Sequence, residues 1–444
     1  MRLIPAFTFA VELRVQYALV ALVVAAGSGL ASATARSPQD DPPAPFVEGG
    51  VPSTGRADPR LTSFDEMMRK FLRERDTPGA TLAVSKDGRL IYARGFGYAD
   101  RAAGEAMQPD SRMRIASLSK PITAAAVLQL AQAEALDLDD SVLQHLDPAL
   151  FAGRVPTDVR WADVTIARLL EHTGGFDRKR SGDPMFRALR IADDLGVEPP
   201  ASARDIVTWM LPRPLDFDPG LRFEYSNFGY DLLGRVIEHE TGLTYEAAVR
   251  QRLLEPLGIT GMRVGKTLRD ERQPGEVVYH DEGKQPGVLA SIRGRAVHPA
   301  YGSWFQESLD ANGGWIASAP ELLRFARLYD LEGDGAPLAP EWIERSFAEP
   351  ETREPRKQKV VWYAAGWQVR QLDDGVFHAW HTGSLPGTAT LLVRRYDGLS
   401  WAVLFNALAD DEGAYLATEI DPLVHKAAAL VQKWPEFDLF DEAR

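Results

Sequence analysis

Strand-like segments at both ends of this chain enclose a long middle that consists mainly of helical patterns and loops. ATLAVS and RLIYARGFGYA flank the Asp-Gly pair at 87–88, a dipeptide typical of tight hairpin turns. The C-terminal part repeats this pattern around the Asp-Gly pairs at 374–375 and 397–398. We therefore predict an α/β (α+β) fold, in which one antiparallel sheet from both chain ends is flanked by helices.

The expected domain is discontinuous, because the mainly helical middle is inserted between the two groups of strands. The pattern TSFDEMMRKFLRER predicts its first helix, where Ser63 and Glu66 have the spacing of a capping box. A cleft at the seam between the sheet and the helical part is the expected place for a site. The domain is predicted to cover 61–435, with a sheet part at 61–116 and 346–435 and a helical part at 117–345.

The N-terminal segment has the pattern of a secretory signal peptide. Two arginines precede an apolar stretch at 17–26, and small residues follow, ending in Ala-Thr-Ala at 33–35. We expect a signal peptide at 1–35 with cleavage near Ala35, and a periplasmic or secreted protein. A retained membrane anchor stays open, although a span needs roughly 20 apolar residues. The Pro-, Gly- and Asp-rich segment 36–60 is predicted to be a flexible linker.

Composition excludes several classes of function. The net charge of −13 and the lack of a Lys/Arg-rich run argue against a nucleic-acid partner. The absence of cysteine excludes disulfides, thiol nucleophiles and cysteine-ligated zinc. No H-E-x-x-H motif occurs, and His378 and His381 would point to opposite faces of a strand. We therefore expect no metal, no cofactor and a small-molecule or peptide substrate, while the oligomeric state stays open.

Ser117 and Lys120 lie three residues apart in RIASLSKPITAAAVLQLA, at the start of an Ala-rich apolar run. If a helix begins near Ser117, positions i and i+3 share a face and the two side chains can meet. A serine hydroxyl needs an adjacent base to act as a nucleophile, and a buried lysine with a lowered pKa can serve. The same pattern also fits a serine cap followed by a solvated lysine.

Two further segments carry polar residues suited to acyl transfer. Tyr-Ser-Asn at 225–227 precedes a helical pattern, so a phenol and an amide share one side of a turn, although the segment alone also fits a helix cap. His-Thr-Gly occurs at 172–174 and 381–383. The second copy lies between two strand patterns, which favours a place along the sheet beside a cleft. We interpret His172, in the first copy, as structural.

Taken in chain order, Ser-x-x-Lys, Tyr-x-Asn and His-Thr-Gly before a strand make this sequence resemble the serine β-lactamase and penicillin-binding protein superfamily. It is most similar to the class C-like branch, which also holds D,D-peptidases, D-aminopeptidases and carboxylesterases. The resemblance covers about 60–430 and extends to LLEHTGGF, LEPLGITGM and GGWIASAPELLRFA. It implies a β-lactamase/transpeptidase-like fold, in agreement with the layout inferred above.

The resemblance also implies roles for the residues that match its motifs. The implied catalytic residues are Ser117 as nucleophile, Lys120 as its basic partner and Tyr225 as proton relay. The implied oxyanion hole consists of the backbone N–H groups of Ser117 and Ser384. The implied substrate contacts are Asn227, His381, Thr382 and Gly383.

One position departs from the family pattern. Many β-lactamases and peptidases have a lysine or arginine where this chain has His381. A neutral imidazole binds a carboxylate less well than an ammonium group does, so this departure favours ester or amide substrates over β-lactams.

We therefore expect an exported serine hydrolase that forms an acyl-enzyme and acts as a carboxylesterase, a D-amino-acid peptidase or a β-lactamase-like enzyme. An α/β-hydrolase is disfavoured because no serine lies in a G-x-S-x-G motif. A catalytically inactive binding protein of the cell envelope with the same fold is the alternative. The loops at 176–200 and 265–305 carry no readable code for the substrate, and fold alone does not define it.

Overall fold

The computed structural model describes residues 47–48, 50–331, 336–355, 360–372 and 376–442, all within one compact unit. The expected signal peptide and the turn at 374–375 lie outside these residues. The strands are β1 (Val47–Glu48), β2 (Val51–Thr54), β3 (Gly79–Lys86), β4 (Arg89–Asp100), β5 (Glu105–Ala106), β6 (Met113–Arg114), β7 (Arg263–Val264), β8 (Gln285–Pro286), β9 (Ala296–Val297), β10 (Trp315–Ala317), β11 (Val361–Tyr363), β12 (Gln368–Gln371), β13 (Phe377–Leu385), β14 (Thr388–Arg394) and β15 (Leu399–Phe405).

Helices cover both faces of the sheet and fill the middle of the chain. They are α1 (Thr62–Glu74), α2 (Ser119–Gln132), α3 (Ile166–Leu170), α4 (Ala188–Leu195), α5 (Ala203–Met210), α6 (Asn227–Thr241), α7 (Tyr245–Val249), α8 (Asp310–Gly313), α9 (Ala319–Ala326), α10 (Pro340–Phe347), α11 (Leu416–Ala429) and α12 (Leu439–Glu442). Two of the 3₁₀ helices, Ala116–Leu118 and Pro184–Phe186, contribute to the site described below.

Strands from both chain ends share one antiparallel sheet. Ten of the described strands take part, in the order β1-β2-β4-β3-β15-β14-β13-β12-β11, with β5 paired to β4. The two ends meet where β3 pairs with β15, with Ala80 opposite Phe405 and Lys86 opposite Leu399. The predicted fold class is therefore confirmed, and the mainly helical middle lies between the two groups of strands.

Side chains of the sheet alternate between two cores, as the two-residue period of a strand requires. On β15, Trp401 and Val403 join the core that contains residues of α1 and α11. The intervening Ala402 and Leu404 join the larger core, which contains α2. Almost every residue of α2 is buried, as expected of a helix that is apolar on most sides.

The N-terminal boundary differs from the sequence expectation. Within the segment 36–60, predicted to be a flexible linker, β2 pairs with β4 through Ser53 opposite Phe96 and Thr54 opposite Gly95. The side chain of Val51 is buried. A four-residue strand that contains a proline and lies near glycines is too short to show a two-residue period, and for this reason the linker prediction was wrong for these residues.

Local turn and cap signals had different outcomes. The turn at 87–88 forms as predicted, with positive φ angles of 51° at Asp87 and 74° at Gly88. The capping box expected at Ser63 does not form, since α1 has no side-chain cap hydrogen bond. The Ser63 hydroxyl instead donates to the carbonyl oxygen of Ala427 in α11, at 2.9 Å. A tertiary contact has replaced the local one.

The nucleophile turn lies at the seam between the sheet and the helical part. Strand β6 leads through the 3₁₀ helix Ala116–Leu118 into α2, and Ala116 has a φ of 49°. This left-handed conformation costs a non-glycine residue about 1–2 kcal/mol. A Cβ atom at Gly383 on β13 would overlap the carbonyl oxygen of Ile115 and lie 3.1 Å from the backbone nitrogen of Ser117. Glycine therefore permits the close approach of β13 to this turn.

Candidate active site

Ser117 and Lys120 lie together at the start of the central helix. The Ser117 side chain is partly exposed, whereas Lys120 has an exposed fraction of 0%. The Ser117 Oγ and the Lys120 Nζ are 3.1 Å apart. The Nζ also donates to the side-chain oxygen of Asn227 at 2.8 Å and to the backbone carbonyl of Asn312 at 2.7 Å. Within the described ranges, Lys120 is thus buried among neutral acceptors and forms no ion pair with a carboxylate.

This environment favours the neutral amine. Burial lowers the pKa of Lys120 well below its ordinary value and the charge of Arg178 lowers it further, while the charge of Asp183 acts in the opposite direction. A neutral amine has two N–H groups, which can donate hydrogen bonds to the side-chain oxygen of Asn227 and the backbone carbonyl oxygen of Asn312. Its lone pair is then available to the Ser117 hydroxyl, so Lys120 is placed to act as a general base.

Tyr225 completes a cluster of three groups that can exchange protons. It comes from the segment before α6, and its hydroxyl lies close enough to the Ser117 side chain for the two to interact. The Lys120 Nζ lies 4.8 Å from the centre of the Tyr225 ring. Burial raises the pKa of Tyr225, and the hydrogen bond with Ser117 lowers it. The phenol is therefore neutral near pH 7 and is placed to carry a proton.

Both the oxygen and the nitrogen of the Asn227 side-chain amide form hydrogen bonds within the protein. Its Oδ1 accepts from Lys120, and its Nδ2 donates to Asp183 Oδ2 at 2.7 Å. The other oxygen of Asp183 accepts from the backbone N–H of Met185, at the start of the 3₁₀ helix Pro184–Phe186. Asn227 therefore positions Lys120. A contact of its side chain with substrate, as the resemblance implies, would have to share or replace these hydrogen bonds.

His381 is buried and neutral on β13. Its Nδ1 is 2.7 Å from the Thr382 carbonyl oxygen, which can only accept, so Nδ1 carries the proton. Its Nε2 then accepts from the hydroxyl of Tyr363 at 3.0 Å. Burial, together with the charge of Lys120, lowers the pKa of His381 to about 3. With 2% exposure and both ring nitrogens occupied, His381 presents no cation to a substrate.

The strand motif on β13 approaches the nucleophile turn at Gly383. Thr382 is partly exposed, Gly383 is buried and Ser384 is exposed. The carbonyl oxygen of Gly383 accepts from the hydroxyl of Tyr415 at 2.6 Å, which holds this part of β13 in place. The backbone of Ser117 lies against Gly383, as an oxyanion hole made by Ser117 and Ser384 would require.

His172 also lies against this cluster, although it comes from the other His-Thr-Gly segment. Its ring centre is 4.3 Å from that of Tyr225 and 4.4 Å from that of Tyr363. Its Nδ1 accepts from the backbone N–H of Ser226 at 3.2 Å, and burial lowers its pKa well below the ordinary value. The structure thus places His172 as a neutral ring that packs beside the Tyr225 phenol.

Sequence reasoning missed several contributors to the site. Arg178 and Asp183 come from the loop that precedes α4, within the segment 176–200, and their positions depend on the path of that loop rather than on a local motif. Asn312 contributes a backbone carbonyl, which any residue type could supply. Tyr363 comes from a strand whose only sequence signal is its aromatic content. The residues named from motifs, by contrast, come together around Ser117.

Comparison with known proteins agrees with this geometry. The family model described as Beta-lactamase matches residues 64–424, which include Ser117, Lys120, Tyr225 and the motif on β13. The chain belongs to the beta-lactamase family. The superfamily inferred from the three motifs is thereby confirmed.

Relatives within the beta-lactamase family include hydrolases. Esterase EstB of Burkholderia gladioli is 34% identical over 278 residues, which cover 59% of this chain and 67% of the esterase. A D-amino acid amidase from Ochrobactrum anthropi superposes with a TM-score of 0.61 and 21% identity, covering 84% of this chain and 99% of the amidase. An octameric penicillin-binding protein homologue from Pyrococcus abyssi gives a TM-score of 0.61 and 24% identity, covering 83% and 77%. Both structural likenesses establish the fold alone.

Other features of this beta-lactamase-family chain concern metals and membranes. Within the described ranges, no three His, Asp or Glu side chains are grouped closely enough to hold a metal ion. None of the helices in the described part of the chain combines the length and hydropathy that a membrane span requires.

Other curated relatives are matched over less of their own length, for example 59% of a probable fimbrial assembly protein of Dichelobacter nodosus.

Proposed function

We propose that this chain is an exported serine hydrolase that cleaves an ester or an amide through an acyl-enzyme. The observation that carries the proposal is the 3.1 Å separation between Ser117 Oγ and the amine of the fully buried Lys120. Burying a lysine without a carboxylate partner is costly for a fold. A serine that only capped a helix would not need such a neighbour, whereas an acylated serine needs a base within hydrogen-bond reach.

Acylation would proceed by attack of Ser117 Oγ on the substrate carbonyl. The hydroxyl proton passes to the Lys120 amine as the new C–O bond forms. The carbonyl oxygen takes the negative charge and is stabilised by the backbone N–H groups of Ser117 and Ser384. Tyr225 donates its proton to the leaving oxygen or nitrogen as that bond breaks, and it regains a proton from Lys120.

Deacylation would reverse these roles with water as the nucleophile. Water adds to the acyl carbonyl and gives a proton to the Tyr225–Lys120 pair. The bond to Ser117 Oγ then breaks, and the serine oxygen takes the proton back. The carboxylic acid product leaves, and the three groups return to their starting protonation states, so no cofactor is consumed.

The substrate class follows from the site only in part. The neutral, occupied His381 supports an ester or a simple amide over a substrate held by a cation on β13. The relatives named an esterase and a D-amino acid amidase point in the same direction. The substrates to compare first are short acyl esters, D-amino-acid amides, D-Ala-D-Ala peptides and nitrocefin.

Active-site labelling tests the proposal. A fluorophosphonate should modify Ser117, as peptide mass spectrometry would show, and Ser117→Ala should lose labelling and at least 10³-fold in turnover while its melting temperature is retained. Labelling that persists in Ser117→Ala would contradict the assignment. A folded wild-type protein that neither reacts nor hydrolyses any of these substrates would instead favour the non-catalytic binding protein.

Export is part of the same proposal. Its support is the charged, apolar and small-residue pattern of the first 35 residues. Protein isolated from the native host should begin near Arg36 and occur in the periplasm or the medium. Recovery of a membrane-bound protein that begins at Met1 would support the retained anchor instead.

A further inference from the structure

Arg178, beside Tyr225 at the mouth of the site, is a charged group that the catalytic scheme does not use. Arg178 is exposed, and its guanidinium lies 5.0 Å from the centre of the Tyr225 ring. Within the described ranges no carboxylate oxygen lies within ion-pair distance of this guanidinium, and it makes no hydrogen bond to the protein. An arginine can stack on an aromatic ring and still offer its N–H groups to an anion.

The acidic residues around Arg178 are already engaged with other partners. Asp177 pairs with Arg222 at 3.6 Å and accepts from a backbone N–H. Asp183 accepts from Asn227 and from a backbone N–H, one bond to each oxygen. Asp216, across the loop, accepts from the backbone N–H of residue 177 and from a serine hydroxyl. The loop thus holds its carboxylates in structural roles and leaves the Arg178 guanidinium without one.

The other basic groups of the site are not available to an anion. Lys120 is buried and its environment favours the neutral amine. His381 is buried, neutral and hydrogen-bonded at both ring nitrogens. The chain as a whole carries a net charge of −13, so its general field repels anions. A cation at the mouth therefore gives this site a local preference that the whole surface lacks.

We infer that Arg178 is a specificity-determining residue that binds a carboxylate on the leaving group of the substrate. The inference rests on the proposed function, in which Tyr225 protonates the leaving group. Because the guanidinium stacks on Tyr225, it lies on the leaving-group side of the scissile bond. An exposed guanidinium and a carboxylate can form two parallel N–H···O bonds, which orient the leaving group toward the phenol that protonates it.

A pair of matched esters tests this inference. The substrates are 4-nitrophenyl butyrate and 3-carboxy-4-nitrophenyl butyrate, and the measured quantity is the ratio of kcat/KM for the carboxylated ester to that for the plain ester. The intrinsic reactivity of each ester is the same for every variant, so it cancels when the ratios of two variants are compared. An effect of Arg178 on the Lys120 amine is common to both esters, so it cancels within each ratio. Arg178→Gln should lower the ratio about tenfold, and Arg178→Glu should lower it further.

Lys179→Gln is the matched control, because it removes one exposed positive charge from the neighbouring position. It should leave the ratio within about twofold of wild type, since an exposed charge that makes no direct contact with the leaving group is screened by salt. An acyl-side pair, 4-nitrophenyl valerate and 4-nitrophenyl hemiglutarate, should show no dependence on Arg178. Raising the ionic strength from about 0.02 to about 0.5 M should lower the wild-type ratio for the leaving-group pair.

The outcomes separate this inference from the proposed function. If fluorophosphonate labels Ser117 but the ratio is the same in wild type and Arg178→Gln, the inference about Arg178 is wrong and the proposed function stands. If Arg178→Gln changes the kcat/KM ratio only for the acyl-side pair of esters, the inference about Arg178 is also wrong. If Ser117 is not labelled and neither ester is cleaved, both fail together. Should labelling occur without turnover, aryl phosphonates with the same two leaving groups give the ratio from their labelling rates.

Discussion

At the scale of single residues, the burial of Lys120 predicts the pH dependence of acylation. Its pKa is lowered, so the amine becomes neutral, and able to accept a proton, as the pH rises through that lowered value. The acylation rate should therefore rise with pH well below 10.4, where free lysine titrates. Stopped-flow acylation by a nitrophenyl ester between pH 5 and pH 10 measures this limb directly.

Substitution distinguishes a base from a positioning cation. Lys120→Arg and Lys120→Ala should each lower the acylation rate by about 10²–10⁴-fold, because a guanidinium keeps its charge but does not give up its proton. Tyr225→Phe tests the proton relay in the same assay. If Lys120→Arg retained most of the activity, the lysine would only hold a positive charge, and the base would have to be Tyr225.

Residues named from motifs and residues found only in the structure differ in how their positions are determined. Ser117 and Lys120 were predictable because helical geometry alone brings positions i and i+3 together. Arg178 and Asp183 reach the site through the fold of a loop with no periodic pattern. The neutral state of His381 depended on its burial and on Tyr363, which lies 18 residues away along the chain. The approach of two side chains on one helix can be predicted from the sequence, whereas the protonation state of a side chain can be inferred only from the tertiary structure around it.

At the scale of elements, the site depends on how closely β13 approaches the nucleophile turn. Gly383→Ala would place a methyl group against the carbonyl oxygen of Ile115 and near the backbone nitrogen of Ser117. The strand or the turn must then shift, which would misplace the oxyanion hole. Misplacement of one oxyanion donor costs about 10²–10³-fold in kcat. We expect a loss of this size in ester hydrolysis, together with a lower melting temperature.

Gly229→Ala provides the matched control for that substitution. Gly229 lies in α6, and a Cβ atom there would make ordinary van der Waals contacts, the nearest at 3.6 Å from Leu169. Replacing a helical glycine by alanine stabilises a helix by about 0.5–1 kcal/mol. Activity should be retained and the melting temperature should rise slightly. Equal effects of the two substitutions on hydrolysis would contradict the role given to the β13 approach.

Elements were predictable in proportion to their length and the strength of their pattern. The hairpin of β3 and β4 was clear because two long strands flank an Asp-Gly turn, and the apolar character of α2 predicted its central position. Strand β2 was missed because four residues show no period. The cap expected at Ser63 was lost because its hydroxyl reaches Ala427, 364 positions later in the sequence. Short elements and caps are decided by such tertiary contacts.

At the scale of the whole molecule, the sheet joins segments that are far apart in sequence. Strand β3 pairs with β15 along seven residue pairs, from Ala80 with Phe405 to Lys86 with Leu399. Neither end of the chain can complete the sheet alone, and the nucleophile turn lies between α2 and the C-terminal strand β13. Pairing within each predicted hairpin could be anticipated, but the pairing partner of β3 across the two groups of strands could not, because no local signal selects it.

The C-terminal part of the sheet also contains a half-buried pair of histidines away from Ser117. The rings of His378 on β13 and His425 on α11 have their centres 5.8 Å apart. Burial, followed by the charge of the nearby Arg395, lowers the pKa of each to about 4. A histidine of the unfolded chain titrates near 6.5, so below that pH the unfolded state binds protons that the folded state does not. The free energy of unfolding should therefore fall as the pH drops from about 6.5 to about 4.

The pKa values of His378 and His425 also predict how much stability is lost on acidification. A pKa difference of one unit is equivalent to about 1.36 kcal/mol, and because both side chains are partly exposed we expect about 2 kcal/mol for the pair after screening. Urea unfolding of wild type and of His425→Gln at pH 7, 5.5 and 4.5 measures it. Carboxylates away from residue 425 contribute equally to both proteins, so the difference between the two pH slopes isolates His425 together with its neighbour Asp421, whose carboxyl oxygen lies 3.8 Å from the ring. The variant should lose less stability on acidification and retain ester hydrolysis at pH 7. Parallel slopes would show that this histidine pair does not govern acid sensitivity.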